Sequence, residues 1–207
     1  LKLAFIYYDG KYIKKDIDKS IYFFELASKQ NDKEAQYYLG LIYYNNNNNI
    51  KKAIQYFTLA ANQNHTKAQT YLGVIYYDGL YCIQDINKAL YYLDLASNQN
   101  NPVAQYCLGY IYFSKICSYI QGNIDKNCEE YVKKAIPYFI LSSNQNFSMA
   151  QYQLGFIYHH GIYVTRDINK AIYYFTLAAN KNNSDAQYKL GIIYLWHQRD
   201  IEKAIHY

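Results

Sequence analysis

The stretch Leu72-Gly73-Val74-Ile75-Tyr76-Tyr77 decides the fold, because the chain carries six versions of it. Earlier copies read Leu3-Ala4-Phe5-Ile6-Tyr7-Tyr8 and Leu39-Gly40-Leu41-Ile42-Tyr43-Tyr44. Later ones read Leu108-Gly109-Tyr110-Ile111-Tyr112-Phe113, Leu154-Gly155-Phe156-Ile157-Tyr158-His159 and Leu190-Gly191-Ile192-Ile193-Tyr194-Leu195. In each copy the first residue, the isoleucine and the first tyrosine lie at i, i+3 and i+4. This is one stripe of a 3.6-residue period, so each copy is predicted to be helical. Recurrence at such a period marks a repeat architecture.

Outward from this block, a second element follows every copy. Examples are Asp16-Ile17-Asp18-Lys19-Ser20-Ile21, Asp85-Ile86-Asn87-Lys88-Ala89-Leu90 and Asp167-Ile168-Asn169-Lys170-Ala171-Ile172. Ala53, Phe57 and Ala60 set a helical stripe here too, and Asp16, Asp85, Asp167 and Asp200 stand where an N-cap should. A third element, such as Leu59-Ala60-Ala61-Asn62-Gln63-Asn64, closes the unit. The first block starts at positions 3, 39, 72, 108, 154 and 190, in steps of 36, 33, 36, 46 and 36, about the length of two helices and two turns. The long step is an insertion around Ser114 to Tyr131, expected in a loop, because loops tolerate insertions and packed helices do not. Pro102 falls at a predicted first turn, where proline is tolerated, whereas Pro137 falls inside a second helix. Mid-helix glycine costs about 1 kcal/mol relative to alanine, so Gly40, Gly73, Gly109, Gly155 and Gly191 need a reason. The expected one is close approach of the paired helix at Ala53, Ala89, Ala135, Ala171 and Ala204.

The chain therefore reads as all-α, one array over 1–207 of about six repeats at approximately 1–30, 31–63, 64–99, 100–145, 146–181 and 182–207. It starts inside a first helix and stops inside a second, without the polar caps of terminal repeats, so it is expected to be a segment of a longer array. The pattern Ala-x-x-x-Leu-Gly-x-x-Tyr-x-x-Gly, then Asp-x-x-Lys-Ala, then Ala-Ala, resembles the Sel-one-like branch of the tetratricopeptide superfamily. Ala150, Leu154, Gly155, Tyr158, Gly161, Asp167, Lys170, Ala171, Ala178 and Ala179 match it throughout, and Ala68, Leu72, Gly73, Tyr76, Gly79, Asp85, Lys88, Ala89 and Ala96 match with Ser97 in the last alanine place. The second repeat departs, with Asn45 to Asn49 in place of the loop glycine, and the fourth has Ser142 and Ser143 for the paired alanines. The resemblance implies a right-handed α-solenoid with an adaptor or scaffold role, and no particular ligand.

In arrays of this type the first helices line the concave face. Counting from the motif leucine, positions −2, +2 and +5 should point there, forming a groove for a peptide or partner protein. The expected groove residues are Phe5, Tyr8, Tyr37, Leu41, Tyr44, Tyr77, Tyr106, Tyr110, Phe113, Tyr152, Phe156, His159 and Tyr188. The competing reading is that such rings pack between repeats. The motif residues Tyr43, Tyr76, Tyr112, Tyr158 and Tyr194, with the isoleucines before them, are assigned to the core.

Composition bounds the function. Hydrophobic residues make up 51% of the chain, yet mean hydropathy is −0.35, because 29 tyrosines bring apolar rings with polar tips. The net charge of +5 comes from scattered pairs such as Lys14 and Lys15, Lys51 and Lys52, and Lys133 and Lys134. A nucleic-acid footprint is more concentrated, so no nucleic-acid partner is expected. No run is long and apolar enough for a membrane span. Cys82, Cys107, Cys117 and Cys128 lack paired zinc spacing, although Cys117 and Cys128 flank the insertion and would be placed to clip it. His159 and His160 diverge by about 100° on a helix and would chelate one metal poorly. With no nucleophile elbow, phosphate loop or HExxH motif, no catalytic, cofactor or metal residues are assigned, and the chain is not expected to be an enzyme. A cytoplasmic location is expected. Three glycosylation sequons, at Asn64, Asn146 and Asn182, keep a secretory or host-exported one open. The leading function is a protein-interaction scaffold or adaptor; the alternative is a structural component of a larger assembly through self-stacking or shell contacts.

Overall fold

Each first block forms a helix in the computed structural model, and each capped block forms a second helix packed against it. Residues 1–45, 49–79, 82–117, 128–198 and 200–206 are described. Among them are α1 (Lys2–Asp9), α2 (Ile17–Lys29), α3 (Lys33–Asn45), α4 (Ile50–Asn62), α5 (Thr66–Asp78) and α6 (Ile86–Asn98). Then come α7 (Pro102–Cys117), α8 (Cys128–Asn144), α9 (Ser148–His160), α10 (Ile168–Ala179), α11 (Ser184–Ile193) and α12 (Ile201–His206). A π-helical turn, Tyr194–Gln198, follows α11. The chain divides into two units. Leu1–Asn101 holds hairpins α1–α2, α3–α4 and α5–α6, and Pro102–Tyr207 holds α7–α8, α9–α10 and α11–α12.

The motif glycines do lie at the helix crossing, but the principal partner is not the alanine expected. A Cβ at Gly40 would stand 2.5 Å from the ring of Phe57. At Gly155 it would meet Phe175 at 2.6 Å, and at Gly109 Phe139 at 2.8 Å and the Ala135 carbonyl at 3.2 Å. At Gly73 the side chain in the way is Leu93. Phe57, Leu93, Phe139 and Phe175 are all fully buried. Each large residue lies one helical turn beyond the motif alanine, so the glycine leaves room for that side chain and, at Gly73 and Gly109, also for the expected alanine, whose carbonyl would lie 3.3 and 3.2 Å from a Cβ. Gly191 is the exception, with only the Ala204 carbonyl nearby, at 3.5 Å.

The caps are as predicted. Asp16, Asp85, Asp167 and Asp200 each accept the backbone N–H of the lysine three residues on, at 2.9–3.0 Å, and Asn49 does so for α4 at 3.2 Å. That N–H bond is the main reason the carboxyls of Asp16, Asp85 and Asp200 are held below their ordinary range. The same lysines pair with the second carboxylate oxygen and lie over a motif tyrosine: Lys19 on Tyr7, Lys88 on Tyr76, Lys170 on Tyr158 and Lys203 on Tyr194. Across the hairpin the motif rings stack nearly parallel, Tyr43 on Tyr56, Tyr76 on Tyr92, Tyr112 on Tyr138 and Tyr158 on Tyr174. This corrects the core assignment: the isoleucines are buried, but of the five tyrosines only Tyr194 is, and the other four are half-buried. Exposed ion pairs contribute little, so the lysines act chiefly by roofing the rings.

Between hairpins the chain turns through asparagines in left-handed conformation, at Asn31, Asn64, Asn100, Asn146 and Asn182, with φ from 57° to 63°. Asparagine tolerates this conformation better than most residues. The three sequon asparagines are among them and are exposed. Beside the turns runs a series of amide pairs that sequence reading missed. Gln63 donates to Gln36 at 2.7 Å, Gln99 to Gln69 at 2.7 Å and Gln145 to Gln105 at 2.8 Å. Lys181 occupies the equivalent place in the next repeat, and there the buried Gln151 Oε1 has no partner.

The insertion is partly helical, not wholly loop. α7 runs on to Cys117 and α8 starts at Cys128, leaving Pro137 more than two turns inside α8; residues 118–127 lie outside the described residues. Cys128 is a free thiol, so it forms no clip with Cys117. Two predictions follow from the packing. Gly109→Leu should overpack the Phe139 contact and cost about 1–3 kcal/mol, seen as a lower Tm in circular dichroism melting; an unchanged Tm would refute the contact. Lys181→Gln should restore the missing amide pair and raise stability by about 1 kcal/mol in urea denaturation.

Candidate functional site

Helical spacing places the expected groove residues in stripes along the first helices: Phe5 and Tyr8 on α1, Tyr37, Leu41 and Tyr44 on α3, and Tyr77 on α5. In the second unit the stripes are Tyr106, Tyr110 and Phe113 on α7, Tyr152, Phe156 and His159 on α9, and Tyr188 on α11. Their exposure differs. Tyr37 and Phe113 are only 7% exposed and belong to core clusters, so they cannot stand open in a groove. Tyr110, at 40%, and Tyr188, at 66%, are exposed, and the other nine are half-buried.

In the first unit the rings link successive first helices. Tyr38 of α3 meets Phe5 edge-on at 4.7 Å and Tyr8 at 5.5 Å. Tyr71 of α5 meets Tyr44 at 5.7 Å and stacks on Phe57 at 5.1 Å. Tyr38 and Tyr71, one position before the motif leucine, were missed because that position varies and carries Cys107, Gln153 and Lys189 later in the chain. In the second unit Tyr106 packs against Phe147 and Tyr110, and Phe156 against Tyr152 and His160. Burial pushes the Tyr106 phenol up to about 12, with a Gln153 hydrogen bond partly opposing the shift, so it stays protonated at neutral pH.

A polar hollow of about 350 Å³ opens between α3 and α5, lined by Lys33, Glu34, Tyr37, His65 and Lys67 among others. His65 is the N-cap of α5: its Nδ1 accepts the Ala68 N–H at 3.2 Å, its Nε2 lies 3.2 Å from Glu34 Oε1, and its ring stacks on Tyr37. Both contacts together require the neutral imidazole, with the proton on Nε2. Burial lowers the His65 pKa, the Glu34 carboxylate working in the opposite direction. The outer face of the second helices also carries tyrosines not singled out from sequence. Tyr22, Tyr91 and Tyr173 are exposed at equivalent repeat positions. Among the described residues no group of three or more His, Cys, Asp or Glu is placed to hold a metal ion, and no helix is long and apolar enough to cross a membrane.

This pairing of helices places the chain in a known class. The Sel1 repeat profile matches residues 1–32, 33–65, 66–101, 148–183 and 184–207, more than half of the chain, and the chain belongs to the Sel1 repeat family. The α7–α8 pair falls between the matched stretches, yet it keeps the glycine-on-phenylalanine crossing. Among solved structures, a Sel1 repeat protein from Oxalobacter formigenes aligns with a TM-score of 0.81 at 24% identity, covering 99% of this chain and 82% of that one. A protective antigen present in uropathogenic Escherichia coli strains, with an SLR fold, aligns with a TM-score of 0.79 at 24% identity; it covers 99% of this chain, which spans 43% of the antigen. An immunity protein from Pseudomonas aeruginosa aligns at 0.58 with 18% identity, covering 98% of this chain and 74% of that one. A comparison with curated proteins finds no match. The fold is that of the Sel1 repeat solenoids, a family whose members are generally protein-interaction scaffolds.

A pH dependence follows from His65. Its folded pKa lies below the ordinary value, so its contribution to stability is full above about 6.5 and is lost as pH falls through the depressed value. Tm should therefore drop between pH 7.5 and 5. His65→Asn, which keeps a cap of the kind Asn183 supplies to α11, should flatten part of that drop. Parallel curves for the two proteins would count against His65 as the source.

Proposed function

We propose that this chain is a non-catalytic adaptor that binds a peptide or partner protein on the face formed by its first helices. The observation that carries this reading is the row of half-buried and exposed aromatic side chains along that face in each unit, with Tyr110 and Tyr188 the most open of the groove residues. Rings held by packing on one side and open on the other make contacts at little cost in side-chain entropy, and tyrosine is enriched among the residues that dominate binding energy. The groove consists of Phe5, Tyr8, Leu41, Tyr44 and Tyr77 in the first unit and Tyr106, Tyr110, Tyr152, Phe156, His159 and Tyr188 in the second, with Tyr38 and Tyr71 added. A second reading, self-assembly, draws on the exposed Tyr22, Tyr91 and Tyr173 of the second helices.

Tyr110→Ser combined with Tyr188→Ser tests the first reading. Both side chains are exposed, so the variant should fold with an unchanged circular dichroism spectrum. In affinity capture from lysate, read by mass spectrometry, partners held by the wild type should be depleted about tenfold or more from the variant, as expected when two interface aromatics are lost. Equal recovery by both baits would reject the first-helix face. A particle mass that rises with concentration in light scattering would favour self-assembly.

A further inference from the structure

The loop between α1 and α2, Gly10-Lys11-Tyr12-Ile13-Lys14-Lys15, has a counterpart of equal length between α9 and α10, Gly161-Ile162-Tyr163-Val164-Thr165-Arg166. The backbone enters and leaves both loops alike, although Tyr163 takes a left-handed φ of 50° and Tyr12 does not. Gly10 and Gly161 adopt φ of 67° and 66°, and the N–H groups of Asp16 and Asp167 donate to the carbonyls of Tyr7 and Tyr158, each at 3.0 Å. The ends of the loop are thus set by the glycine, the cap and one backbone bond, none of which requires lysine.

The side chains differ in what they engage. In the α9–α10 loop, Tyr163 lies beside Cys128, whose thiol pushes the phenol up, and Arg166 Nε donates to the His159 carbonyl at 3.0 Å. In the α1–α2 loop, Tyr12 is 76% exposed, and Lys11, Lys14 and Lys15 are all exposed. Among the described residues no carboxylate lies within ion-pair distance of these three lysines. Asp16, the carboxylate beside them, is already paired with Lys19 at 3.4 Å. Lys14, Lys15 and Lys19, with Asp16, line a hollow of about 410 Å³ together with Tyr7 and Ile13.

We infer that the α1–α2 loop is a docking surface for an acidic peptide segment, one that sets carboxylates against Lys11, Lys14 and Lys15 and an apolar side chain in the hollow beside Tyr7 and Ile13. Uncompensated charge around a concavity steers and holds an oppositely charged partner. The hollow, at about 410 Å³, admits a side chain, which a peptide supplies and a flat layer of lipid headgroups does not. A peptide therefore fits better than a membrane. The surface adjoins the first-helix face at Tyr8, over whose ring Lys15 lies at 5.5 Å, but uses neither Tyr110 nor Tyr188.

The test uses the full chain and a fluorescein-labelled peptide, Glu-Glu-Leu-Glu-Glu, followed by fluorescence anisotropy at low and rising salt. Vesicles of phosphatidylserine and phosphatidylcholine in equal parts form the second arm. Lys14→Gln with Lys15→Gln should weaken peptide binding about tenfold, in line with the loss of two complementary charges. Lys133→Gln with Lys134→Gln removes equal charge from α8, where Glu129 and Glu130 pair with those lysines, and should leave binding unchanged. Tyr12→Ser should weaken it to a lesser degree. No peptide binding by the wild type, an equal loss in both double variants, or binding of vesicles without peptide would each overturn the proposal.

Discussion

The structure depends on one steric fit, repeated in four hairpins, a large side chain of the second helix seated over the glycine of the first. In the α3–α4, α7–α8 and α9–α10 hairpins that side chain is phenylalanine, and in α5–α6 it is Leu93. Burying such a side chain is worth about 1.5–3 kcal/mol, against about 1 kcal/mol lost to the mid-helix glycine. The fit also fixes rotation. With the glycine turned toward the ring, the motif leucine and isoleucine face the hairpin core, and positions −2 and +5 flank the same ring: Tyr37 and Tyr44 meet Phe57, Tyr106 and Phe113 meet Phe139, and Tyr152 and His159 meet Phe175. The placement of every other row, including the aromatic face, follows from that orientation.

Polar groups are then met in register. Caps close the second helices, lysines cover the stacked tyrosines, and the glutamine pairs join buried amides of the first helices to partners at the more open turns. Tyrosine suits these half-covered positions because a ring can pack while its hydroxyl reaches water. This is how a chain with 29 tyrosines has a negative mean hydropathy and still builds a core.

Helices, caps, turns and the insertion site were legible in the sequence because each rests on local chemistry repeated in several copies. The partner of the glycine was only partly legible: the alanine backbone is there at Gly73, Gly109 and Gly191, but periodicity identifies a face and not which side chain on it fills the space. Tyr37 and Phe113 looked equivalent to their open neighbours, yet each is covered by tertiary contacts that spacing alone does not reveal; Tyr37, for instance, lies under the ring of His65. The glutamine pairs escaped notice because their members are 27 to 40 residues apart, and the separation changes with loop length. Groove residues were therefore legible as a row, but the exposure of each was not.

The asparagine turns have an evolutionary consequence. Each closes its hairpin with bonds made within a few residues, as where Asn64 and His65 donate back to Ala61 and Ala60. A gene segment encoding one hairpin thus carries its own punctuation, and duplicating or deleting it in frame joins two ends that already match. Each glutamine pair joins the start of a first helix to the end of the second helix in the same hairpin, so a whole copy carries both members with it, and a substitution such as Lys181 is a fault confined to one copy.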